Sequence, residues 1–180
     1  MKAKTQKMVL CAMLTAVISL LSLIAIPMPS MIPISLQCFA IALCGYFAGS
    51  VTGTVSVILY ILIGMVGVPV FAGMRGGFSV LFGATGGFIS GFIPLCLLCG
   101  GFGLSEKSGR YRHITAIALG ITGLLLCHIC GIMQFMLVMG TDFPTAFLTA
   151  SLPYIIKDII CIFAAYPVSN VLKKAVLHRR

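Results

Sequence analysis

The 180-residue chain is 60% hydrophobic and 8% charged, with a mean hydropathy of +1.17, 20 glycines and no tryptophan. Soluble domains carry roughly 25% charged residues, and a chain this short has no core able to hide so much apolar surface. An ordinary soluble enzyme or nucleic-acid-binding domain is therefore excluded, and the formal charge of +9 needs another explanation than a polyanionic partner.

At about 20 residues per membrane-spanning helix, the chain accommodates six spans. The first apolar run predicts a span over 7–26, ended by Pro27 and Pro29. Lysines precede it, but it is about 19 residues long and no A-x-A-like site closes it, so it reads as a span and not as a cleaved signal. Span two is predicted over 35–50 and span three over 53–68, where Pro69 stops it. A glycine-rich stretch follows, then span four over 80–102 and span five over 113–139. Span six covers 152–172, with Pro153 near its N-terminus. The segments 27–34, 69–79 and 140–151 read as outer loops. The expected fold is an all-α integral membrane protein, one domain over 1–180.

Charge placement supports this layout. Lys2, Lys4 and Lys7 open the chain, Lys107, Arg110 and Arg112 share a polar stretch, and Lys173, Lys174, Arg179 and Arg180 close it. The positive-inside rule puts all three clusters, and both termini, on the cytoplasmic side when even numbers of spans separate them. Four spans precede the middle cluster and two follow it. Glu106 belongs with that cluster and Asp142 with an outer loop, leaving Arg75, Lys157 and Asp158 as charges that topology does not explain.

A carboxylate inside a span costs roughly 2.5–3.5 kcal/mol on insertion scales, so it usually faces an interior cavity and marks a substrate or ion path. Asp158 is five residues beyond Pro153, about 7–8 Å below the outer end of its helix. Tyr154, Asp158 and Cys161 share one face, whereas Lys157 points about 100° away. A Lys157 that snorkels to the interface, with Asp158 paired to a neighbour, is the structural alternative. Arg75 lies in Pro69-Val-Phe-Ala-Gly-Met-Arg75-Gly-Gly-Phe78. Backbone this irregular is tolerated at membrane depth where it lines or covers a cavity, and an arginine there is suited to clamp a carboxylate. An ordinary loop arginine on lipid headgroups is the competing reading.

Other patterns read as packing. Gly45, Gly49 and Gly53, then Gly83, Gly87 and Gly91, recur every four residues, as small residues do where helices approach closely. Ala12 and Ala16 form a similar strip on span one, fitting either the bundle interior or another protein. Cys96-x-x-Cys99 and Cys127-His-Ile-Cys130 superficially match paired zinc half-sites, but both fall within spans, where cysteine packs as a small apolar residue. No G-x-x-x-x-G-K-[ST], H-E-x-x-H or G-x-S-x-G occurs. An aspartic dyad of Asp142 and Asp158 has no supporting motif.

Met31-Ile-Pro-Ile-Ser-Leu-Gln37, the block Leu59-Tyr-Ile-Leu-Ile-Gly-Met-Val-Gly-Val-Pro-Val-Phe-Ala-Gly73, Gly76-Gly77, Gly83-Ala-Thr-Gly-Gly87 and Pro153-Tyr-Ile-Ile-Lys-Asp158 together resemble the BioY family, the biotin-binding S-components of energy-coupling factor transporters. The resemblance runs from about residue 12 to residue 166 and is most specific over Leu59–Gly87. It implies six helices, biotin captured from outside in the plasma membrane of a prokaryote, no cofactor or metal, and no catalytic residues. Energy would come from a transmembrane coupling subunit and two cytoplasmic ATPases, which agrees with the missing P-loop.

By the family pattern Asp158 accepts hydrogen bonds from the ureido N–H groups of biotin. The Phe71–Gly77 loop, including Gly73, covers the ligand, Gln37, Thr85 and Tyr154 line the pocket, and Ala12-x-x-x-Ala16 docks on the coupling subunit. Arg75 or Lys157 answers the carboxylate or carbonyl. Two departures stand out. Many members carry a lysine three residues after the aspartate, where this chain has Cys161 and instead places Lys157 before it, and the usual proline of the glycine-rich motif is Ala84. Rival readings are an S-component for another vitamin, a solitary secondary carrier, or an intramembrane enzyme using Asp158.

Overall fold

The computed structural model describes residues 2–28, 32–101 and 110–177. Pro29, Met31, Glu106, Lys107, Arg179 and Arg180 lie outside the described residues. The described chain is almost wholly helical. Four helical stretches, Lys4–Leu23, Gln37–Met65, His113–Met139 and Phe143–Ala175, are long and apolar enough to cross a membrane, and Gly86–Cys99 is a shorter apolar helix.

Helix α1 runs Lys2–Leu23 and so ends before the predicted boundary at residue 26. The reason is local pairing: β1, Ala25–Ile26, joins β2, Ile34–Ser35, in a two-rung antiparallel ladder, Ala25 opposite Ser35 and Ile26 opposite Ile34. Pro27 caps that strand at the point where no further N–H is available to the ladder. α1 turns Thr15, Ile18 and Ser22 inward, whereas Met8, Met13 and Leu20 are exposed, as suits a lipid-facing stripe.

The expected spans two and three form one hydrogen-bonded element, α2, Gln37–Met65, interrupted at Gly49 (φ 81°, ψ 173°). A Cβ built there meets nothing within 4 Å, so glycine is required for its backbone angles and not for space. The second arm folds back on the first, since Cys44 Sγ lies 3.8 Å from the Gly53 carbonyl. In a straight helix nine residues would separate them by about 13 Å.

The predicted span 80–102 is shorter. A four-residue helix α3, Phe78–Leu81, precedes α4, Gly86–Cys99. Gln134 of α5 donates to the carbonyls of Leu81 (2.6 Å) and Gly83 (2.9 Å), satisfying the irregular backbone between the two helices. α5, Arg110–Met139, packs along α4 through the predicted glycine row; a Cβ at Gly91 would sit 2.7 Å from Cys127 Cα.

The predicted outer loop 140–151 is largely helical. α6, Phe143–Ala146, begins behind Asp142 with Pro144 in its first turn, continues through a π-turn over Phe147–Ser151, and runs on as α7, Leu152–Leu177. Pro153 is thus inside a continuous helix and does not begin it. The wider π-turn, in which the Leu152 N–H reaches back to Phe147, relieves the clash that a proline ring makes with the carbonyl four residues earlier.

Candidate functional site

The irregular segments converge at one end of the bundle. Residues 32–37, the 66–85 connection and the first turns of α7 meet there, so non-helical backbone is concentrated where it borders empty space. A small, partly open cavity is lined by Gln37, Phe71, Arg75, Thr85, Phe88 and Phe92 together with Ile32, Pro33, Ala72, Val80 and Ile89. A mostly apolar wall with few polar groups is the usual make-up of ligand pockets. A more open hollow adjoins it, lined by Ala25, Pro27, Met28, Pro33, Gly73 and Arg75. Arg75 faces both.

The cover is a tight loop. Phe71 and Arg75 exchange backbone hydrogen bonds, Phe71 N to Arg75 O at 2.9 Å and Arg75 N to Phe71 O at 3.3 Å. Met74 adopts φ 57° at its tip, and Arg75 Nε donates to the Ala72 carbonyl at 3.3 Å. The Gly77 N–H donates to Gly64 O at 2.7 Å, tying the far end of the loop to α2. Phe71 drives inward, edge-to-face on Tyr60 at 5.5 Å. A side chain at Gly64 would occupy the space of the Phe71 ring, so that glycine makes the seat for the cover.

Below the loop lies a fully buried polar floor. Gln37 Nε2 donates to Tyr60 Oη at 2.7 Å, Ser35 Oγ donates to Gln37 Oε1 at 3.0 Å, and Tyr60 Oη lies 3.0 Å from Ser22 Oγ and 3.2 Å from Val70 O. The floor links α1, α2 and the cover, and fixes the Gln37 amide that lines the cavity.

The α7 residues form a second group beside the first. Asp158 is 4% exposed, and its Oδ1 lies 2.5 Å from Lys157 Nζ. That oxygen is engaged by the ammonium and, with two lone-pair sites, keeps capacity for one further donor. Lys157 Nζ also donates to the Ser35 carbonyl at 2.9 Å, and Tyr154 Oη to the Ile32 carbonyl at 2.5 Å. Both α7 side chains thereby hold the 32–37 segment against the helix. The 100° separation read from the helical wheel does not keep Lys157 from Asp158, because four methylenes let the ammonium bend back to its neighbour. Tyr154, Asp158 and Cys161 do share a buried face.

Of the residues named from sequence, Gln37, Phe71, Arg75 and Thr85 line the cavity together, and Gly73 borders its mouth. Gly77 closes the loop onto α2. Asp158, Lys157 and Tyr154 sit behind the 32–37 strap and do not line that cavity. Ala12 and Ala16 are exposed on α1, far along the helix from this end. Sequence reading passed over Ser35 and Tyr60, both inside the quoted motifs, and set His128 aside as part of a zinc half-site. His128 instead stands against Asp158, its Nε2 3.4 Å from Oδ2. The signal available was that an imidazole inside a span needs a partner, and Asp158 was the one acid at similar depth.

A family profile described as the BioY family matches residues 1–178. A protein of Thermotoga maritima named biotin transporter BioY is 31% identical over 97% of this chain and 99% of its own length. A Lactococcus lactis protein named biotin transporter BioY2 is 32% identical over 87% of this chain and 84% of its own. A crystal structure described as the S-component for biotin from an ECF-type ABC transporter superposes with a TM-score of 0.85 at 24% identity, covering 96% of this chain and 93% of that one.

Proposed function

The chain belongs to the BioY family, and from that premise we propose that it is the biotin-binding membrane subunit of a vitamin uptake transporter, energised by separate subunits. It is a transport component and not an enzyme, consistent with the names of its relatives. The observation that carries the reading is an ion-paired Asp158 buried directly behind the 32–37 strap of an apolar cavity that Arg75 lines. Biotin is bipolar in the same sense: two ureido N–H donors and a carbonyl at one end, a carboxylate at the other, and an apolar chain and thioether between them.

In this reading the 32–37 strap shifts to open the cavity toward α7, Asp158 Oδ1 accepts a ureido N–H beside the Lys157 ammonium that offsets its charge, and Gln37, Thr85 and Tyr154 complete the polar and aromatic surround. Arg75 holds the ligand's carboxylate, and the Phe71–Gly77 loop closes over it. The Gly77–Gly64 bond, the Tyr60 contact to the Val70 carbonyl and the buried Phe71 ring tie the loop to the body, so opening it requires that ring to withdraw.

The topology proposed is a single membrane domain of six spans, with the two arms of α2 counted separately and both termini cytoplasmic, embedded in the plasma membrane. The basic clusters of α1 and α7 support that orientation. Ala12 and Ala16, exposed beside Met13 and Val17, offer a small-residue face to a transmembrane coupling subunit served by two ATPases.

Competition binding tests the assignment. Labelled biotin bound to the purified protein should be displaced by unlabelled biotin and not by riboflavin or thiamine at the same concentrations. Equal displacement by all three would overturn it in favour of a different vitamin or a general carrier.

A further inference from the structure

Behind the cavity wall a line of buried side chains connects the π-turn, α5 and α7. Ser151 Oγ lies 2.8 Å from His128 Nδ1, and His128 Nε2 lies 3.4 Å from Asp158 Oδ2. Ser151 is 0% exposed and the other two 4% each. Ser151 precedes Asp158 by seven residues, two helical turns on the same face, with the imidazole of α5 bridging them. Phe88, which lines the cavity, stands edge-on to that imidazole at 5.7 Å, so one ring lies between His128 and the cavity.

The proton positions follow from donor and acceptor inventory. An ionised carboxylate only accepts, so the nitrogen facing it, Nε2, carries a hydrogen. Among the described residues the Ser151 hydroxyl has one hydrogen-bonding partner, His128 Nδ1. Were Nδ1 protonated too, the fully buried hydroxyl would accept from it and its own hydrogen would have no acceptor, which is costly in an apolar interior. Charge leads to the same answer. Lys157 already offsets Asp158 at 2.5 Å, and a second buried cation beside them would be uncompensated inside a span.

We infer that His128, held by Ser151 as the neutral Nε2–H tautomer, is a positioning residue for ligand binding: it occupies Asp158 Oδ2 and thereby presents Oδ1, shared with Lys157, to an N–H donor of a cyclic urea. The inference rests on the proposed reading of Asp158 as the ureido acceptor. A carboxylate with one oxygen pinned cannot rotate to offer either oxygen, so the donor geometry of the ligand is selected in advance.

Two measurements on the full-length purified protein test it. The first needs no ligand. In ¹⁵N-histidine NMR spectra, with the His128 signals among the three histidines identified by their loss in His128→Gln, the neutral Nε2–H pattern is expected, with the Nδ1 signal moving in Ser151→Ala. An imidazolium or an Nδ1–H tautomer would overturn the inference.

The second is biotin affinity. His128→Phe should weaken binding about tenfold to a hundredfold, the range expected for losing a hydrogen bond to a charged group. His128→Gln, whose amide again supplies an N–H, should recover most of it. Wild-type affinity in His128→Phe, or equal losses in the two variants, would count against a positioning role. Should His128→Phe fail to fold, Ser151→Ala keeps the ring and removes only the tautomer lock; a weakening of severalfold is expected, and an unchanged affinity contradicts the inference. If the wild type binds no biotin at all, it is the vitamin assignment that fails, and the tautomer spectrum still decides the relay.

Discussion

At the cavity end, two polar networks stand among the apolar side chains: buried Ser22, Ser35, Gln37 and Tyr60 in one, buried Ser151, His128 and Asp158 with half-buried Lys157 in the other. Toward Gly49 and Gly100 the helices meet through glycine and cysteine, as where a Cβ on Gly45 would fall 2.5 Å from the Cys96 carbonyl and 2.8 Å from Cys99 Cβ. Each arrangement answers the same lipid environment differently. Close approach of small residues gives van der Waals contact over the length of the helices and no recognition. The polar end accepts a cost of desolvation, which the proposed function attributes to a ligand with matching donors and charge. Substitutions should therefore separate affinity from assembly according to the end they touch.

The largest loss of affinity is expected for Asp158→Ala. It removes the proposed ureido acceptor and strands Lys157 at depth, so equilibrium biotin binding should weaken by roughly 30-fold to several thousandfold, the cost of truncating one partner of a buried charge pair. Arg75→Ala follows, with roughly a 10- to 100-fold loss for biotin. The same variant should bind biotin amide as the wild type does, because the amide lacks the carboxylate that Arg75 is proposed to hold. A comparable loss for both ligands would place Arg75 in the cover's structure and not in recognition.

Gly45→Val should act in the opposite sense. It forces the α2 and α4 backbones apart, so the thermal unfolding temperature should fall by several degrees while the folded fraction keeps its biotin affinity within about twofold. A selective loss of affinity at unchanged stability would erase the distinction between the two ends. The smallest effect on binding is expected for Ala12→Trp combined with Ala16→Trp, which should leave affinity unchanged yet abolish co-purification with the coupling subunit. Normal co-purification would remove these alanines from the docking face.

Much of this division was legible in the sequence because it rests on scarcity. With three acids in 180 residues, a carboxylate inside an apolar run identifies itself, and proline and glycine spacing marks where helices break. Helix existence was therefore clear, and boundaries less so. Pro153 reads as a helix start because proline favours first turns, but a π-turn over Phe147–Ser151 absorbs it and lets the helix begin at Phe143. The β1–β2 ladder has only two residues per strand, too few for any alternation to show.

The site was legible in its residues more than in its contacts. Helical periodicity gives the direction of a Cβ, which suffices for Tyr154 and Asp158. It fails for Lys157, whose long stem carries Nζ back to Asp158 and across to Ser35. His128 was obscured for a different reason. Two flanking cysteines at metal-site spacing drew attention along α5, whereas its partners come from α7 and the π-turn, 30 and 23 residues away in sequence.

The central claim, that Asp158 is the group on which the ureido ring is read, can be tested by a direct distance. The chain has two aspartates, Asp142 and Asp158, so aspartate carrying ¹³C at the carboxylate and biotin carrying ¹⁵N at both ureido nitrogens give at most four pairs of spins. Solid-state NMR dipolar recoupling of the complex should show a carboxylate carbon within hydrogen-bonding range of a ureido nitrogen, and the dephasing should vanish in Asp158→Asn. Saturated biotin binding with no such dephasing, or dephasing that survives that substitution, would contradict the account.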